Sequence, residues 1–326
     1  MANEALRTTS DARTNGAVIW ASELRKEFED LVAVQDVDFE VQPGTIFGFI
    51  GPSGSGKTTT IRLLLGILEA TSGDVRVLDE APADFTQATQ ARIGYMPQHF
   101  ALYPDLTIRE NLGFAASIYG LGLRRRRNMA AVLDFVELSE HRKKSVRKIS
   151  GGMKRRLSLA ATLIHDPDLF FLDEPTAGID PVLRQKFWER FRHLKGEGKT
   201  LFVTTQYVSE AAYCDQVAVL VEGSVLTVGT PEGLRHQAFG GDVVDMKTKQ
   251  LLSSELIDDL QRLDFVTHAA HVGPDQAHVA VKEASVALPA LVLWLEDRGI
   301  EIVSVEEHIP TFDEVFVTLI EKEDRS

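Results

Sequence analysis

A single cysteine, Cys214, stands in 326 residues. No intrachain disulfide can form from it, and a reducing, cytoplasmic setting fits that usage, with Cys214 read as a small buried hydrophobe. Long apolar runs are missing too. The best of them, Ala287 to Leu295, is far short of the roughly 20 residues that cross a bilayer as a helix. Residues 1–16 are polar and rich in Ser, Thr and Asn, without the apolar centre of a signal peptide or anchor, and are read as a flexible tail. Any membrane role must therefore be borrowed from a partner. Positive charge is scarce as well: 35 Lys and Arg face 48 Asp and Glu, a net of −13. The imbalance is local, because residues 241–326 hold 18 acidic and 7 basic side chains, which leaves residues 1–240 at only −2. An acidic surface is a poor grip on a phosphate backbone, so no nucleic acid partner is expected.

At 44% hydrophobic, the chain has ample material for a large core and a length that suggests two domains. Its most informative stretch is Gly51-Pro52-Ser53-Gly54-Ser55-Gly56-Lys57-Thr58, followed by Thr59, which fits the P-loop spacing. The apolar run Thr45 to Ile50 reads as the strand before it. Lys57 to Leu65 reads as the helix after it, with Leu63, Leu64, Ile67 and Leu68 as its buried face. Glycines let successive backbone N–H groups converge on a polyphosphate in front of a helix N-terminus. Lys57 supplies a cation for the β and γ phosphates, and Thr58 a hydroxyl for Mg²⁺. A lone P-loop leaves kinase, GTPase and ATPase open.

Short alternating strands are expected at 18–20, 31–34 and 37–41, forming an antiparallel sheet with one wet face. Phe28 sits among charges just before the second of them, where an aromatic could stack on a nucleotide base. A turn at 71–74, strands at 75–77 and 93–96, then helices at 108–119, 128–138 and 152–165 follow, the helices forming an insertion in the sheet domain. The basic run Arg124 to Arg127 reads as a solvated loop. Leu169 to Leu172 is a fully apolar, central parallel strand that delivers Asp173 and Glu174 to the carboxyl edge of the sheet, where ligands bind in open α/β folds. Thr200 to Thr204 is a second such strand, and 217–221 with 225–228 reads as a hairpin that closes the domain near Pro231. The tail reads strand, helix, strand, strand, helix, strand, helix, its last helix opened by a capping box of Thr311 and Glu314. His268, His271 and His278 read as strand-face residues, lacking a metal-ligand spacing.

Taken in order, the P-loop, Gln98, Ser150-Gly151-Gly152-Met153, Leu169 to Glu174 and Gly178-Ile179-Asp180 resemble the nucleotide-binding subunits of ATP-binding cassette (ABC) transporters over residues 17–235. The resemblance implies a P-loop NTPase α/β cassette: a RecA-like parallel sheet core, an antiparallel β subdomain and a helical subdomain at about 99–168. The cassette is expected at 17–238, and the order of elements in the tail suggests a small α+β domain at 239–326. The resemblance also implies ATP and Mg²⁺ as cofactors and an ATPase activity. In that family Asp173 would hold the metal, largely through water, Glu174 would polarise the attacking water, Gln98 would reach the metal and sense the γ-phosphate, and Phe28 would stack on the base. Ser150, Gly151 and Gly152 would meet the nucleotide bound by a second copy in a head-to-tail homodimer, and Asp180 would order that interface. A permease would be the membrane partner, received near 98–119, with this subunit peripheral on the inner face of the membrane. One departure stands out: the family's histidine after the strand ending at Thr204 is replaced by Gln206, a neutral donor. Pro310 to Leu319 resembles the tail of drug-exporter subunits such as those conferring daunorubicin resistance. Export of a drug, lipid or other hydrophobic compound is the expectation; a soluble ATPase of DNA repair or translation, and an importer subunit, are the alternatives.

Overall fold

The computed structural model describes residues 16–122 and 125–323, and its contacts divide the chain into two compact units, one through Val228 and one from Gly229. The expected tail at 1–15 and Arg124 lie outside the described residues. In chain order the first unit runs β1 (Ile19–Phe28), β2 (Leu31–Val41), β3 (Ile46–Ile50), α1 (Lys57–Leu64), β4 (Ser72–Val77), α2 (Gln87–Ala91) and β5 (Ile93–Met96). It continues with α3 (Ile108–Ile118), α4 (Arg125–Phe135), α5 (Gly151–Leu163), β6 (Leu169–Asp173), α6 (Pro181–Gly196), β7 (Thr200–Thr205), β8 (Gln216–Val221) and β9 (Ser224–Gly229).

Two sheets result. One has the order β5-β6-β7-β3-β8-β9, parallel from β5 through β8; the other is antiparallel, β2-β1-β4. β3, β6 and β7 are buried along their whole length, as strands covered on both faces must be. The two strands expected at 31–34 and 37–41 are one strand. The interruption is a bulge at which Asp36 takes a left-handed conformation (φ 47°), so the pattern breaks while the pairing with β1 continues. Phe39 of β2 carries the antiparallel sheet onto the parallel one: its ring lies 5.5–5.8 Å from those of Phe47, Phe49 and Phe202. Each such fully buried ring stabilises by about 1.5–3 kcal/mol.

Several boundaries differ from expectation for physical reasons. α1 ends at Leu64, so Leu63 and Leu64 are buried but Ile67, beyond the helix, is 56% exposed. Arg125 to Arg127 form the first turn of α4 rather than a solvated loop, which suits arginine's high helix propensity. α6 was not anticipated, although Asp180 followed by Pro181 is a plain start signal: the Asp180 side chain accepts from the Leu183 N–H at 2.9 Å and proline occupies the first turn.

α5 ends against His165, whose ring stacks on Tyr119 at 3.5 Å and whose Nε2 lies 2.9 Å from the Ile93 carbonyl. Burial pulls the His165 pKa below its ordinary value, with the Ile93 contact and Asp166 opposing. The unfolded chain then takes up this proton first as pH falls, so its contribution is complete above about pH 6.5 and is lost as pH drops through the lower folded value. Urea unfolding of the protein and of His165→Gln at pH 7.5 and 5.5 should show a smaller loss of stability on acidification in the variant.

The second unit runs α7 (Pro231–Phe239), β10 (Asp242–Thr248), α8 (Ser254–Gln261), β11 (Val266–Gly273), β12 (Gln276–Val281), α9 (Ala284–Asp297), β13 (Ile302–His308) and α10 (Phe312–Glu323). From β10 onward this is the expected order of elements. An antiparallel sheet, β11-β12-β10-β13, packs Val244, Met246, Val279 and Val281 against Ile257 and Leu260 of α8 and Leu291 and Leu295 of α9. The Thr311–Glu314 capping box is present, with Thr311 N–H and Oγ1 each 2.7 Å from Glu314 Oε2. α7 was missed, although Thr230-Pro231 opens it and Gly240 (φ 75°) closes it. Arg235 of α7 donates to the Pro310 carbonyl and lies over Phe312, which puts this helix in the second unit and moves the division ahead of the expected 238/239. His268 and His271 lie on β11, and His278 on β12 stacks on His308 at 4.6 Å.

Candidate functional site

β3 runs straight into the glycine loop, and the loop is shaped by close approaches that only glycine permits. A Cβ at Gly51 would lie 2.1 Å from the Leu220 carbonyl oxygen, and one at Gly56 (φ 99°) 2.3 Å from that of Ala33. Gly56 also caps α1, whose first residue is Lys57. A cavity of about 520 Å³ opens here, lined by Ser53, Gly54, Gly56, Lys57, Thr58 and Thr59, by Gln98 and Glu174 from the opposite bank, and by Phe28 at its edge. Phe28 is 41% exposed, with Lys26 Nζ 5.1 Å from its ring centroid.

Lys57 is 4% exposed. Its Nζ donates to the carbonyls of Gly51 (2.8 Å) and Pro52 (2.7 Å) and lies 3.8 Å from Glu174 Oε1, an ion-pair contact beyond hydrogen-bond range. Burial lowers its pKa, an effect that Glu174 and Asp173 oppose. The loop thus holds an ammonium against its own carbonyls, next to the space where phosphate oxygens would compete for it.

β6 delivers the acids. Asp173 is fully buried; Oδ1 accepts from Thr58 Oγ1 (3.1 Å) and Thr204 Oγ1 (2.7 Å), while Oδ2 is buried without a partner. Glu174 takes a left-handed conformation, φ 46°, unusual for a residue with a side chain. Its N–H is held by Thr204, Oγ1 at 3.0 Å and the carbonyl at 3.1 Å, and its Oε2 accepts from Gln98 Nε2 at 3.0 Å.

In the sequence Thr204 is only a strand residue, and no local signal marks its hydroxyl as the hub that accepts from one acid's backbone and donates to the other's carboxylate. Thr204→Val keeps the shape and removes both bonds. It should cost about 1–3 kcal/mol in urea unfolding, the price of stranding buried polar groups.

The remaining expected residues lie elsewhere in the unit. Ser150 caps α5, its Oγ accepting from Met153 N–H at 3.2 Å, and Gly151 and Gly152 form the first turn. A Cβ at Gly152 would meet Leu183 Cδ2 at 2.8 Å, so the starts of α5 and α6, the latter capped by Asp180, are neighbours. Gln206 is exposed just beyond β7, beside Tyr207, which lies under the Arg184 guanidinium at 3.9 Å. Ser150, Gly151, Gly152, Asp180 and Gln206 do not line the cavity that holds Lys57 and Glu174.

The ABC transporter family model matches residues 34–177. The Nod factor export ATP-binding protein I of Burkholderia pseudomallei (strain 1710b) is 39% identical over 226 residues, 69% of this chain and 74% of that protein. A probable multidrug ABC transporter ATP-binding protein, YbhF of Escherichia coli K12, is 36% identical over 247 residues. That match takes in 76% of this chain but 43% of YbhF, so the chain spans less than half the length of this relative. Among solved structures, a bacterial ABC transporter cassette described as dimeric superposes with a TM-score of 0.59 at 25% identity, covering 65% of this chain and 98% of the cassette.

Proposed function

The chain belongs to the ATP-binding subunits of ABC transporters, and from that premise we propose that it binds ATP with Mg²⁺, hydrolyses it, and thereby drives a separate membrane permease in export. The observation that carries this reading is the convergence on one glycine-walled cavity of Lys57, Glu174 and the Gln98 that holds Glu174. The cradle would take the triphosphate on backbone N–H groups and Lys57, and Phe28 would take the base. Glu174 would orient and polarise the attacking water, with Gln98 fixing which carboxylate oxygen is free.

The oxygen set suits Mg²⁺: the unpartnered Asp173 Oδ2 and the Thr58 hydroxyl are hard ligands, with Gln98 within reach of the same cavity. When bound, the ion would neutralise charge developing on the phosphate oxygens. ATP hydrolysis should therefore stop when EDTA removes Mg²⁺ and return when it is restored.

A signature segment that does not line its own chain's cavity supports a homodimer, in which Ser150, Gly151 and Gly152 of each copy would complete the site of the other, with Asp180 at the seam. No described helix is long and apolar enough to cross a membrane. A separate permease would carry the cargo, and the export named for the Nod factor relative favours that direction. Copurification from membranes tests this: a polytopic protein should accompany the tagged chain, and an active ATPase that brings none refutes transport. At Gln206, a neutral amide replaces a titrating imidazole. The turnover number should be flat from pH 6 to 7, and Gln206→His should introduce an inflection there.

A further inference from the structure

Arg155 lies on α5, five residues after Ser150, and none of the roles assigned above uses it. It is 5% exposed. Nη1 donates to the Gln98 carbonyl at 3.0 Å, Nη2 donates to the Ala177 carbonyl at 3.1 Å, and Cζ lies 5.0 Å from the Phe100 ring centroid. Its Nε is buried without a partner. A buried cation satisfied by neutral carbonyls is an expensive way to fill space, and methionine or leucine would fill it at lower cost. The geometry of its two contacts is what a neutral side chain cannot reproduce.

We propose that Arg155 is a positioning residue that ties the signature end of α5 to the catalytic carboxylate of its own chain. One arm of the guanidinium holds the backbone of Gln98, whose side chain holds Glu174 Oε2. The other arm holds the backbone of Ala177, whose N–H donates to the Glu174 carbonyl at 3.1 Å. Two supports of Glu174, separate from those that Thr204 gives its N–H, thus converge on a single side chain of the helix that Ser150 caps. This rests on the dimeric ATPase reading: if Ser150 meets the nucleotide of a second copy, a displacement of α5 there reaches Glu174 through Arg155, and each site senses whether the other is filled. Lysine cannot substitute, because one ammonium on a flexible stem does not present the planar fork that spans two carbonyls.

The test is a double-mutant cycle on ATP turnover with the purified full chain. Arg155→Gln should lower kcat about tenfold, as misplacement of a catalytic group does, with ADP affinity and binding stoichiometry unchanged because the cradle is untouched. Arg155→Lys should recover less than about threefold of that loss. Since one of its two arms acts through Gln98, the double variant Arg155→Gln/Gln98→Ala should lose less than the product of the two single losses, the remainder coming through Ala177. Multiplicative losses, full rescue by lysine, or a fall in ADP stoichiometry that parallels the fall in kcat would overturn the assignment. Failure of the unaltered chain to hydrolyse ATP would overturn the ATPase reading with it, and is seen before any variant is compared.

Discussion

Glu174→Gln will hydrolyse ATP about 10²–10⁴-fold more slowly than the unaltered chain, the range lost with a positioned general base, while still binding ATP. The two residues have the same shape, and the amide oxygen can still accept from Gln98 Nε2, now 3.0 Å from Glu174 Oε2. What disappears is the negative charge that would draw a proton from water, along with its 3.8 Å contact to Lys57. With the cradle intact and the chemistry stopped, ATP should hold two copies together. Size-exclusion chromatography should show a dimer with ATP and Mg²⁺ and a monomer with ADP. Undiminished turnover would remove Glu174 from its role, and a monomer in ATP would refute closure around the nucleotide.

Lys57→Met is the complementary case, with binding lost rather than chemistry. Lys57 lines the cavity proposed to take the phosphates, and its burial means that little water competes for it. A charge-assisted contact to phosphate in such a site is far stronger than one in open solvent. Titration calorimetry should show ATP affinity falling at least about 100-fold, equivalent to about 2.7 kcal/mol. The thermal shift that the unaltered chain gains from millimolar ATP should vanish, since stabilisation by a ligand scales with its occupancy of the folded state. The variant also leaves the Gly51 and Pro52 carbonyls without their donor. The reference is therefore its own melting temperature without nucleotide.

Much of the site could be read from residue order because its parts are contiguous. Gly51 to Thr58 makes a loop from its own backbone, and Asp173-Glu174 follows four apolar residues whose burial fixes where the acids emerge. What could not be read depends on contacts distant in sequence. Thr204 meets Asp173 across 31 residues, and Arg155 meets Gln98 across 57; neither has a local signal. The merged strand Leu31–Val41 was split for a different reason: a bulge shifts the alternation by a residue and mimics a turn. α6 and α7 each begin with a capping side chain followed by proline, a start signal that is local and legible in the sequence.

Phe39 carries one further consequence. Its ring fastens the sheet bearing Phe28 to the strands that carry the glycine loop, Phe47 and Phe49 on one and Phe202 on its neighbour. If Phe28 and the glycine loop take a nucleotide's two ends as proposed, both grips rest on one hydrocarbon block, so the distance between base and phosphate sites is set by ring packing rather than by the nucleotide.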